Sequence, residues 1–511
     1  MTRQGICTVP MLLAIDRHAG ATTLHHQIYH SFRTAIANGR LVKGSRLPGS
    51  RVLADDLGVS RTTILTAYDR LRLEGYVAGR AGGGTYVANR SQPKVAARLA
   101  RNRPIVSAPT EALSALGSRM VGSDSNMAPL TRTNRPVPFA LGVPALDAFP
   151  IATWARLMAQ RWRKTPRLML APDDGPGYTP LREAIAEYLI TARGLQCSSN
   201  QIVVTAGSQQ GIDLIARLLL NPGDSVWVEA YGYAPARAAF AGVGARLIAV
   251  PVDDEGLDVE RGWTLAPDAR LAFVTPACAP PYAVAMSIRR RLELLDWAHQ
   301  TASWIVEDDY NGELGYQGKP FAALQGLDHP GARRVIYLRT FTKTLFPALR
   351  LGYAVLPFEL IDAFTRARCV TDRHSPTAEQ AVLTDFIVGG HFARHMRTMR
   401  ELYAERQHTF LDLASHELGG LLQLRAASAG IRVAGRLQPG VSDQQVAAEA
   451  ALRGVIVDPL SNHYPHADEN GLALGYVPFQ VGEARRALAK LAEAIRLVQQ
   501  GGGRFAASQN L

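Results

Sequence analysis

The chain has 511 residues, 47% hydrophobic and 20% charged, which is the balance of a globular protein with one extensive core and a smaller module. No stretch approaches the ~20 uninterrupted apolar residues that cross a bilayer, and no small-residue cleavage site follows the apolar run at 6–15, so we expect a cytoplasmic protein without a membrane partner. The four cysteines lie far apart, without a CxxC pair or a nearby histidine pair, which predicts reduced thiols and no metal site.

The positive charge lies in the first quarter of the chain. Residues 1–135 contain 19 Lys and Arg against 7 Asp and Glu, which accounts for the whole net charge of +12, and the remainder holds 37 of each sign. This asymmetry indicates a polyanionic partner for the N-terminal part, nucleic acid first of all. A basic face that only confers solubility would give the same count.

Three helices are predicted at the N-terminal end. Apolar residues from Ile28 to Ile36 recur at i, i+4 and i+8, and this first helix is expected to end near Gly39. The segments "SRVLADDLG" and "VSRTTILTAYDRLRLEGYV" predict two more, with Gly58 in the turn between them and Ser60 as the N-cap of the third. Their spacing is that of a helix-turn-helix, whose last helix offers its N-terminal end to base edges.

A glycine-rich hairpin, "AGRAGGGTYVA", follows the third helix, and its glycines allow the close backbone approach that a wing in a minor groove requires. A three-helix interaction module without DNA is the alternative. The stretch from "GRLVKGSRLPGS" to "GGGTYV" resembles the winged-helix domain of GntR-type transcription regulators. The resemblance implies contacts with double-stranded operator DNA from Arg51, Ser60, Arg61, Thr62, Thr63, Gly83 and Gly84.

The sequence divides into three zones. Residues 12–90 form the predicted winged helix-turn-helix domain, which is all-α with a β-wing. Residues 91–135 are rich in Ser, Pro, Ala and Arg with little apolar periodicity, which predicts a linker. Across 136–500, apolar strands alternate with amphipathic helices, as in "QIVVTAG" followed by "SQQGIDLIARLLL". This alternation predicts an α/β domain with a mainly parallel central sheet covered on both faces.

The segment "TFTKTLFPALRLGY" contains Lys343 between hydroxyl side chains. Lysine becomes catalytic by forming an imine with a carbonyl, usually that of pyridoxal 5'-phosphate (PLP). The phosphate of PLP needs hydroxyls, a helix N-terminus and preferably an arginine. The pyridine nitrogen needs a carboxylate, the 3'-oxygen needs a donor, and the ring needs a flat partner.

Candidates for each of these groups follow apolar strands. For the phosphate, a strand runs through Gly207 and Ser208 directly into a helix, and the lysine segment adds Thr340, Thr342 and Arg350. For the ring, "SWIVEDDYNGEL" and "VEAYGYAP" each end a strand with the required carboxylate or phenol side chains, which are Asp308, Tyr310 and Tyr233. Taken singly, each of these residues is more often a surface, capping or core residue.

The chain order of glycine, tyrosine, aspartate, lysine and arginine resembles that of fold-type I aminotransferases over about 136–500. The resemblance implies the PLP-dependent transferase fold of type I, with a Schiff base between PLP and Lys343. It also implies that Asp308 pairs with the pyridine nitrogen, Tyr310 bonds the 3'-oxygen and Tyr233 stacks on the ring. The phosphate would be held by Gly207, Ser208, Thr340, Thr342 and Arg350.

A winged helix fused to such a domain is identified as the MocR-type subfamily of the GntR regulators. Motifs including "PLREAIAEYL", "IVEDDYNGEL" and "VIYLRTFTKTLFPALRLGY" carry the resemblance across about residues 12–500. It implies a homodimer in which the aminotransferase-like domains pair head to tail. It also implies that each winged helix packs on the large domain of the partner.

The sequence departs from the family on the substrate side. At 277–283 it reads "ACAPPYA" where Ser-His-Gln-Phe-Pro-Thr-Gly is usual, so that Cys278 replaces the histidine. Pro172 replaces a tyrosine expected to reach the partner's phosphate, and Tyr231 replaces a proline. "LALGYVPF" shows no arginine for a substrate carboxylate, although Arg432 could serve. We therefore expect intact cofactor binding, an altered effector pocket and little or no turnover.

Two functions follow from these features. The first is a PLP-dependent transcription regulator, and the alternative is an active aminotransferase with a vestigial DNA-binding domain. The position of the charge and the complete helix-turn-helix favour the regulator. Its effector is either PLP itself or a PLP adduct with an amine or amino acid, and the sequence leaves this choice open.

Overall fold

The chain is described by a computed structural model over residues 23–80, 84–88, 113–122, 137–164, 167–171, 175–316, 322–331, 333–463 and 470–501. It divides into two compact units, Met1–Ala112 and Leu113–Leu511. Within the described residues, no helix has both the length and the apolar character needed to cross a membrane.

The smaller unit is a winged helix. Its three helices and the two antiparallel strands of its wing are α1 (Leu24–Ala37), α2 (Ser50–Leu57), α3 (Arg61–Leu73), β1 (Val77–Arg80) and β2 (Gly84–Val87). The apolar faces predicted from the sequence meet in one core, which includes the fully buried side chains of Ile28, Phe32, Leu53, Ile64 and Leu71.

Local residues explain where these helices begin and end. Gly58 ends α2 in the left-handed conformation with φ 59°, which a glycine adopts without steric cost. The Ser60 hydroxyl accepts a hydrogen bond from the Thr63 amide at 3.1 Å, so that Ser60 is the N-cap of α3, as predicted. The first helix ends at Ala37, just before the predicted Gly39.

The larger unit is built on a seven-stranded sheet in the order β3-β11-β10-β9-β8-β4-β5. Only β11 runs antiparallel to its neighbours, so the sheet is mainly parallel, as predicted. Its strands are β3 (Ile202–Thr205), β4 (Ser225–Glu229), β5 (Arg246–Val250), β8 (Leu271–Val274), β9 (Trp304–Asp308), β10 (Val335–Thr340) and β11 (Gly352–Val355). Most of these strands are buried along their whole length, because helices cover both faces.

Helices connect and cover these strands. They are α4 (Ala115–Gly122), α5 (Ile151–Arg163), α6 (Thr179–Arg193), α7 (Ser208–Leu219), α8 (Ala234–Gly242), α9 (Val259–Leu265), α10 (Ile288–Thr301), α11 (Leu324–Leu327), α12 (Phe358–Thr371), α13 (Thr377–Val388), α14 (His391–Leu418), α15 (Asp443–Leu452) and α16 (Val481–Gln499). Helix α4 lies within the segment predicted as a linker, and it packs on α8, where Arg119 donates to the Gly242 carbonyl at 3.4 Å.

A second sheet forms the C-terminal part of the large unit. Its strands, in the order β12-β13-β15-β14, are all antiparallel: β12 (Leu422–Arg425), β13 (Arg432–Leu437), β14 (Asp458–Pro459) and β15 (Gly471–Gly475). A separate two-stranded ribbon pairs β6 (Val252–Asp253) with β7 (Gly256–Leu257). The four-stranded sheet brings Arg432, the first residue of β13, to the site described next.

Candidate cofactor site and DNA-binding surface

Two consecutive carboxylates, Asp308 at the end of β9 and Asp309 directly after it, lie in different surroundings. Asp309 is completely engaged: Arg193 donates to it at 2.6 Å, Tyr337 donates at 2.6 Å, and the Gly312 amide donates at 2.9 Å. Although burial alone would raise the pKa of Asp309, Arg193 and Arg339 hold it below its ordinary value. Asp309 is therefore a structural anchor.

Asp308 is equally buried, with 4% of its surface exposed, but its Oδ1 atom has no hydrogen-bond partner in the described structure. Burial, followed by the charges of Asp309 and Glu229, raises the pKa of Asp308 to about 7, against the opposing effect of Lys343. A buried carboxylate oxygen without a donor is costly. The protonated ring nitrogen of PLP would supply that donor, so Asp308 fits the predicted cofactor contact.

Lys343 follows β10, and its Nζ atom donates to the Gly142 carbonyl at 2.9 Å. Burial and then the positive charge of Arg432 lower the pKa of Lys343 to about 8, while Asp308 opposes the shift. A larger fraction of the amine is therefore neutral near pH 8 than for an exposed lysine. A neutral amine is the form that attacks a carbonyl.

The predicted phosphate cradle lies at the start of α7. Gly207 is its N-cap with φ 103°, and Ser208 is its first residue and is buried. Arg350 adopts the left-handed conformation, with φ 49°, which is uncommon for a residue other than glycine. Its Nη2 atom lies 3.5 Å from the place where a Cβ on Gly207 would stand. The helix amides and the guanidinium thus converge as an anion requires.

Hydroxyl groups from the lysine segment complete this side. Thr340 ends β10, and its hydroxyl donates to that of Thr342 at 2.8 Å. The Thr342 amide donates back to the Thr340 hydroxyl at 3.2 Å. These two hydrogen bonds orient both hydroxyls. Thr340 lies three residues before Lys343, and Thr342 lies one residue before it.

Two tyrosines line the ring side of the site. The Tyr310 hydroxyl donates to the Cys278 carbonyl at 2.8 Å and accepts from Nη2 of Arg432 at 2.9 Å. Burial, and then the Asp308 charge, raises the pKa of Tyr233 to about 12, against the effect of Arg350. Tyr233 is the residue directly before α8, as its N-cap, and 38% of its surface is exposed.

The altered 277–283 segment is an apolar wall. Ala277, Cys278, Ala279 and Ala283 are all buried, and burial raises the pKa of the Cys278 thiol. The Cys278 carbonyl accepts a hydrogen bond from the Tyr310 hydroxyl, and the Cys278 thiol interacts with the side chains of Tyr310 and Asn311. Pro172, the other predicted departure, lies outside the described residues.

Two residues, one bonded to Lys343 and one that acts electrostatically on Asp308, were given no cofactor role by the sequence. Gly142, with φ 81°, accepts the hydrogen bond of Lys343, and a Cβ there would lie 2.4 Å from Nζ. Glu229 ends β4 and accepts from the Thr275 amide at 2.8 Å and from its hydroxyl at 2.6 Å; burial raises its pKa to about 7. Neither residue belongs to a recognisable motif. In the sequence, Gly142 could be noticed only as a turn glycine, and Glu229 only as the last residue of an apolar strand.

The predicted DNA-contacting side chains lie together at the start of α2 and α3. Arg51, Ser60, Arg61 and Thr62 are exposed and Thr63 is half-buried. The Arg61 Nε atom donates to the Ser50 hydroxyl at 3.3 Å, which links the two helices. In the wing, Gly84 begins β2 with φ 102°, and Gly83 lies outside the described residues.

Comparisons with known proteins agree with both parts. The gntR family of bacterial regulatory proteins matches residues 24–87, and the aminotransferase class I and II family matches 172–462. The chain is 38% identical to the probable rhizopine catabolism regulatory protein MocR of Rhizobium meliloti, over 96% of this chain and 97% of that protein.

Two further similarities are to a regulator and to a solved aminotransferase structure. The HTH-type pyridoxine biosynthesis transcriptional regulator PdxR of Corynebacterium glutamicum is 28% identical over 95% of this chain and 98% of its own length. The crystal structure of Pyrococcus horikoshii kynurenine aminotransferase, which was determined in complex with PMP, is 30% identical with a TM-score of 0.65. It covers 70% of this chain and 90% of that one.

A winged helix joined to a class I and II aminotransferase domain defines a DNA-binding regulator with an aminotransferase-like domain. This class of protein fits the basic N-terminal region and the lysine site together. The chain belongs to the MocR-type subfamily of the GntR transcription regulators. Its aminotransferase fold is one that in general depends on PLP.

Proposed function

We propose that this protein is a cytoplasmic, homodimeric regulator that binds PLP at Lys343 and uses PLP, or a PLP adduct with an amine or amino acid, as its effector. The N-terminal domain would bind a double-stranded DNA operator, and the aminotransferase-like domains would pair head to tail. The observation that best supports a bound cofactor is the buried Oδ1 atom of Asp308, which has no hydrogen-bond donor in the described structure. The regulatory role rests on the helix-turn-helix and its basic charge.

The residues of the site would each bind a different part of PLP. Gly207, Ser208 and Arg350 would bind the phosphate, together with the hydroxyls that Thr340 and Thr342 hold in place. When bound, PLP supplies an aldehyde that reacts reversibly with amines. Asp308 would accept from the ring nitrogen, Tyr310 would bond the 3'-oxygen, and Tyr233 would cover the ring. Lys343 would hold the cofactor covalently and exchange a proton at Nζ.

Effector binding would act on DNA through two states of the dimer. A ligand shifts such an equilibrium only by its difference in affinity for the two states. The names of the two related regulators refer to rhizopine catabolism and to pyridoxine biosynthesis, so regulators of this kind serve different metabolic pathways. These names support a ligand-responsive regulator here and leave the effector open.

The test compares wild type with Lys343→Ala, and with Lys490→Ala as an exposed-lysine control. Visible absorbance would report covalently held PLP, and a footprint on the protein's own upstream DNA would report operator binding with and without PLP. We expect Lys343→Ala to lose the absorbance band and the PLP response but keep basal DNA affinity. Repeated turnover with a keto acid, together with no DNA binding, would overturn the proposal in favour of an aminotransferase.

A further inference from the structure

The segment before α2 runs along the wing of the small unit. Residues 44–47 lie beside β2, where the Leu47 amide donates to the Thr85 carbonyl at 2.8 Å and Arg46 pairs with Tyr86 in antiparallel register. Leu47 is buried and Arg46 is exposed, as the alternation of side chains along an extended chain requires. The Arg46 side chain therefore lies outside the core, on the side of the wing.

The guanidinium of Arg46 packs on a glycine of the wing. Its Nε, Nη2 and Cζ atoms lie 3.1, 3.4 and 3.7 Å from the place where a Cβ on Gly84 would stand. Gly84 also has φ 102°, a backbone conformation that other residues rarely adopt. Two separate features thus favour glycine at this position. The missing side chain leaves the space that the guanidinium occupies, so the wing backbone orients Arg46.

Among the described residues, no carboxylate lies within 4.0 Å of the Arg46 guanidinium. Two arginines of α3 differ in this respect, because Arg70 pairs with Glu74 at 3.3 Å and Arg72 pairs with Asp69 at 3.6 Å. Arg46 is held by packing and not by an opposite charge, so its charge stays available to an anion. Since its direction is already set, binding an anion costs less side-chain freedom than it would for a mobile arginine.

Arg46 lies between the two parts of the predicted DNA-contacting surface. The Pro48 carbonyl accepts a hydrogen bond from the Tyr68 hydroxyl at 3.0 Å, which anchors this segment on α3. Helix α2 begins two residues later at Ser50, whose hydroxyl accepts from Arg61 of α3. The chain thus runs from Arg46, beside the wing, directly to the helix ends that carry the other predicted contacts. A duplex that meets both the helix ends and the wing meets Arg46 between them.

We propose that Arg46 enters the minor groove of the operator together with the wing, and that it selects a narrow, A·T-rich groove there. This inference rests on the operator binding of the proposed function. The narrow minor groove of A·T-rich DNA has an enhanced negative potential, which attracts arginine. G·C pairs place the amino group of guanine in that groove, and A·T pairs do not. A guanidinium is more weakly hydrated than an ammonium, so lysine would select less well.

The test uses the full-length protein and the operator found by footprinting its own upstream DNA. Hydroxyl-radical cleavage with wild type and with Arg46→Ala locates the minor-groove positions that lose protection in the variant. Three duplexes then carry A·T, inosine·C or G·C pairs at these positions. Inosine lacks the amino group of guanine, so an inosine·C pair keeps the major-groove edge of G·C but has the minor-groove edge of A·T. Titrations give the affinity for each duplex.

Wild type should bind the A·T and inosine·C duplexes about equally, and roughly five- to a hundred-fold tighter than the G·C duplex. Arg46→Ala should bind all three about equally, at the level of the G·C duplex, and Arg46→Lys should retain part of the preference. Arg40→Ala is the charge-matched control and should keep the full preference. Arg40 is also exposed, but it lies beside His30 and Thr34 of α1. Thermal unfolding checks that each variant is folded.

Several results would rule out this role of Arg46. Unchanged protection in Arg46→Ala, or a preference that survives the substitution, would remove Arg46 from the groove. An equal loss of affinity on all three duplexes would assign it to the phosphate backbone. Wild type that binds inosine·C as weakly as G·C would place the readout in the major groove. A wild-type protein that protects no DNA would overturn operator binding in the proposed function and this inference with it.

Discussion

Lys343 and Gly142, which are 201 positions apart, meet in a hydrogen bond of 2.9 Å between the lysine amine and the glycine carbonyl. Gly142 has φ 81°, and a Cβ there would stand 2.4 Å from Nζ. We expect Gly142→Ala to displace the lysine and to reduce the fraction of protein that carries PLP, as read by visible absorbance. Operator binding without PLP should stay at the wild-type level.

Gly440→Ala is the control for backbone strain. Gly440 has a similar φ of 86°, and nothing lies within 4 Å of its Cβ position. Both substitutions force an L-residue into the left-handed region, at a cost of about 1 kcal/mol. If the two variants lost PLP equally, the effect of Gly142→Ala would come from backbone strain. The contact between Gly142 and Lys343 would then not contribute to PLP binding.

Replacement by asparagine should affect different properties at the neighbouring carboxylates: stability at Asp309 and PLP affinity at Asp308. Asp309→Asn leaves Arg193 buried without its counter-charge, so we expect a loss of about 3 to 5 kcal/mol in the free energy of unfolding. Asp308→Asn removes a carboxylate whose Oδ1 lacks a donor, so the fold should tolerate it while PLP affinity falls. Urea unfolding and PLP titration of both variants measure the two effects. A stable Asp309→Asn protein would contradict this division of roles.

The candidate residues of this site can be recognised in the sequence because its motifs are local. The strand, Gly207 and the helix that begins at Ser208 are contiguous, and the lysine lies three residues after the end of β10. Adjacent strand residues point to opposite sides, which explains why Asp308 and Asp309 meet different surroundings. Their surroundings depend on Arg193, which lies 116 positions away.

The remaining contacts could not be read from local patterns. Arg432 reaches Tyr310 across 122 positions, through a sheet whose strands are two to six residues long and lack clear alternation. Tyr231, noted only as a replacement for proline, bonds Asp458 across 227 positions. Tertiary packing decides such pairs, and no spacing rule predicts them.

The pH dependence of stability should report the state of Asp308. Its pKa is raised to about 7 in the folded chain against about 3.9 when unfolded. The folded state therefore binds more protons between these values, and the free energy of unfolding falls as pH rises from about 4 to about 7. Glu229 and Glu307, whose pKa values burial also raises to about 7, act in the same direction.

The contribution of Asp308 is isolated by subtracting the curve of Asp308→Asn from that of wild type, measured by urea unfolding without added PLP. The difference should decline with rising pH up to about 7 and then level off. A difference that does not change between pH 4 and pH 7 would mean that this carboxylate titrates normally.

At the DNA-binding end, loss of the Ser60 cap should weaken α3 and little else. Ser60→Ala removes the acceptor of the Thr63 amide, and a lost N-cap costs about 1 kcal/mol. Thermal unfolding should show the small domain less stable, while PLP binding by the large unit is unchanged. Ser60→Asp keeps an acceptor and should restore the stability, which separates the cap from any DNA contact.

Arg61 should contribute to sequence-specific DNA binding, because it is exposed at the first position of α3 and is oriented by its hydrogen bond to Ser50. Arg61→Ala should cost about 1 to 3 kcal/mol of operator affinity at physiological salt, as a lost base contact does. Arg72→Ala is the control, since Arg72 is an exposed arginine about 16 Å further along the same helix. Titrations on the operator and on unrelated DNA compare the two variants. Equal losses on both DNAs would assign Arg61 to the phosphate backbone, and no loss would remove this end of α3 from the interface.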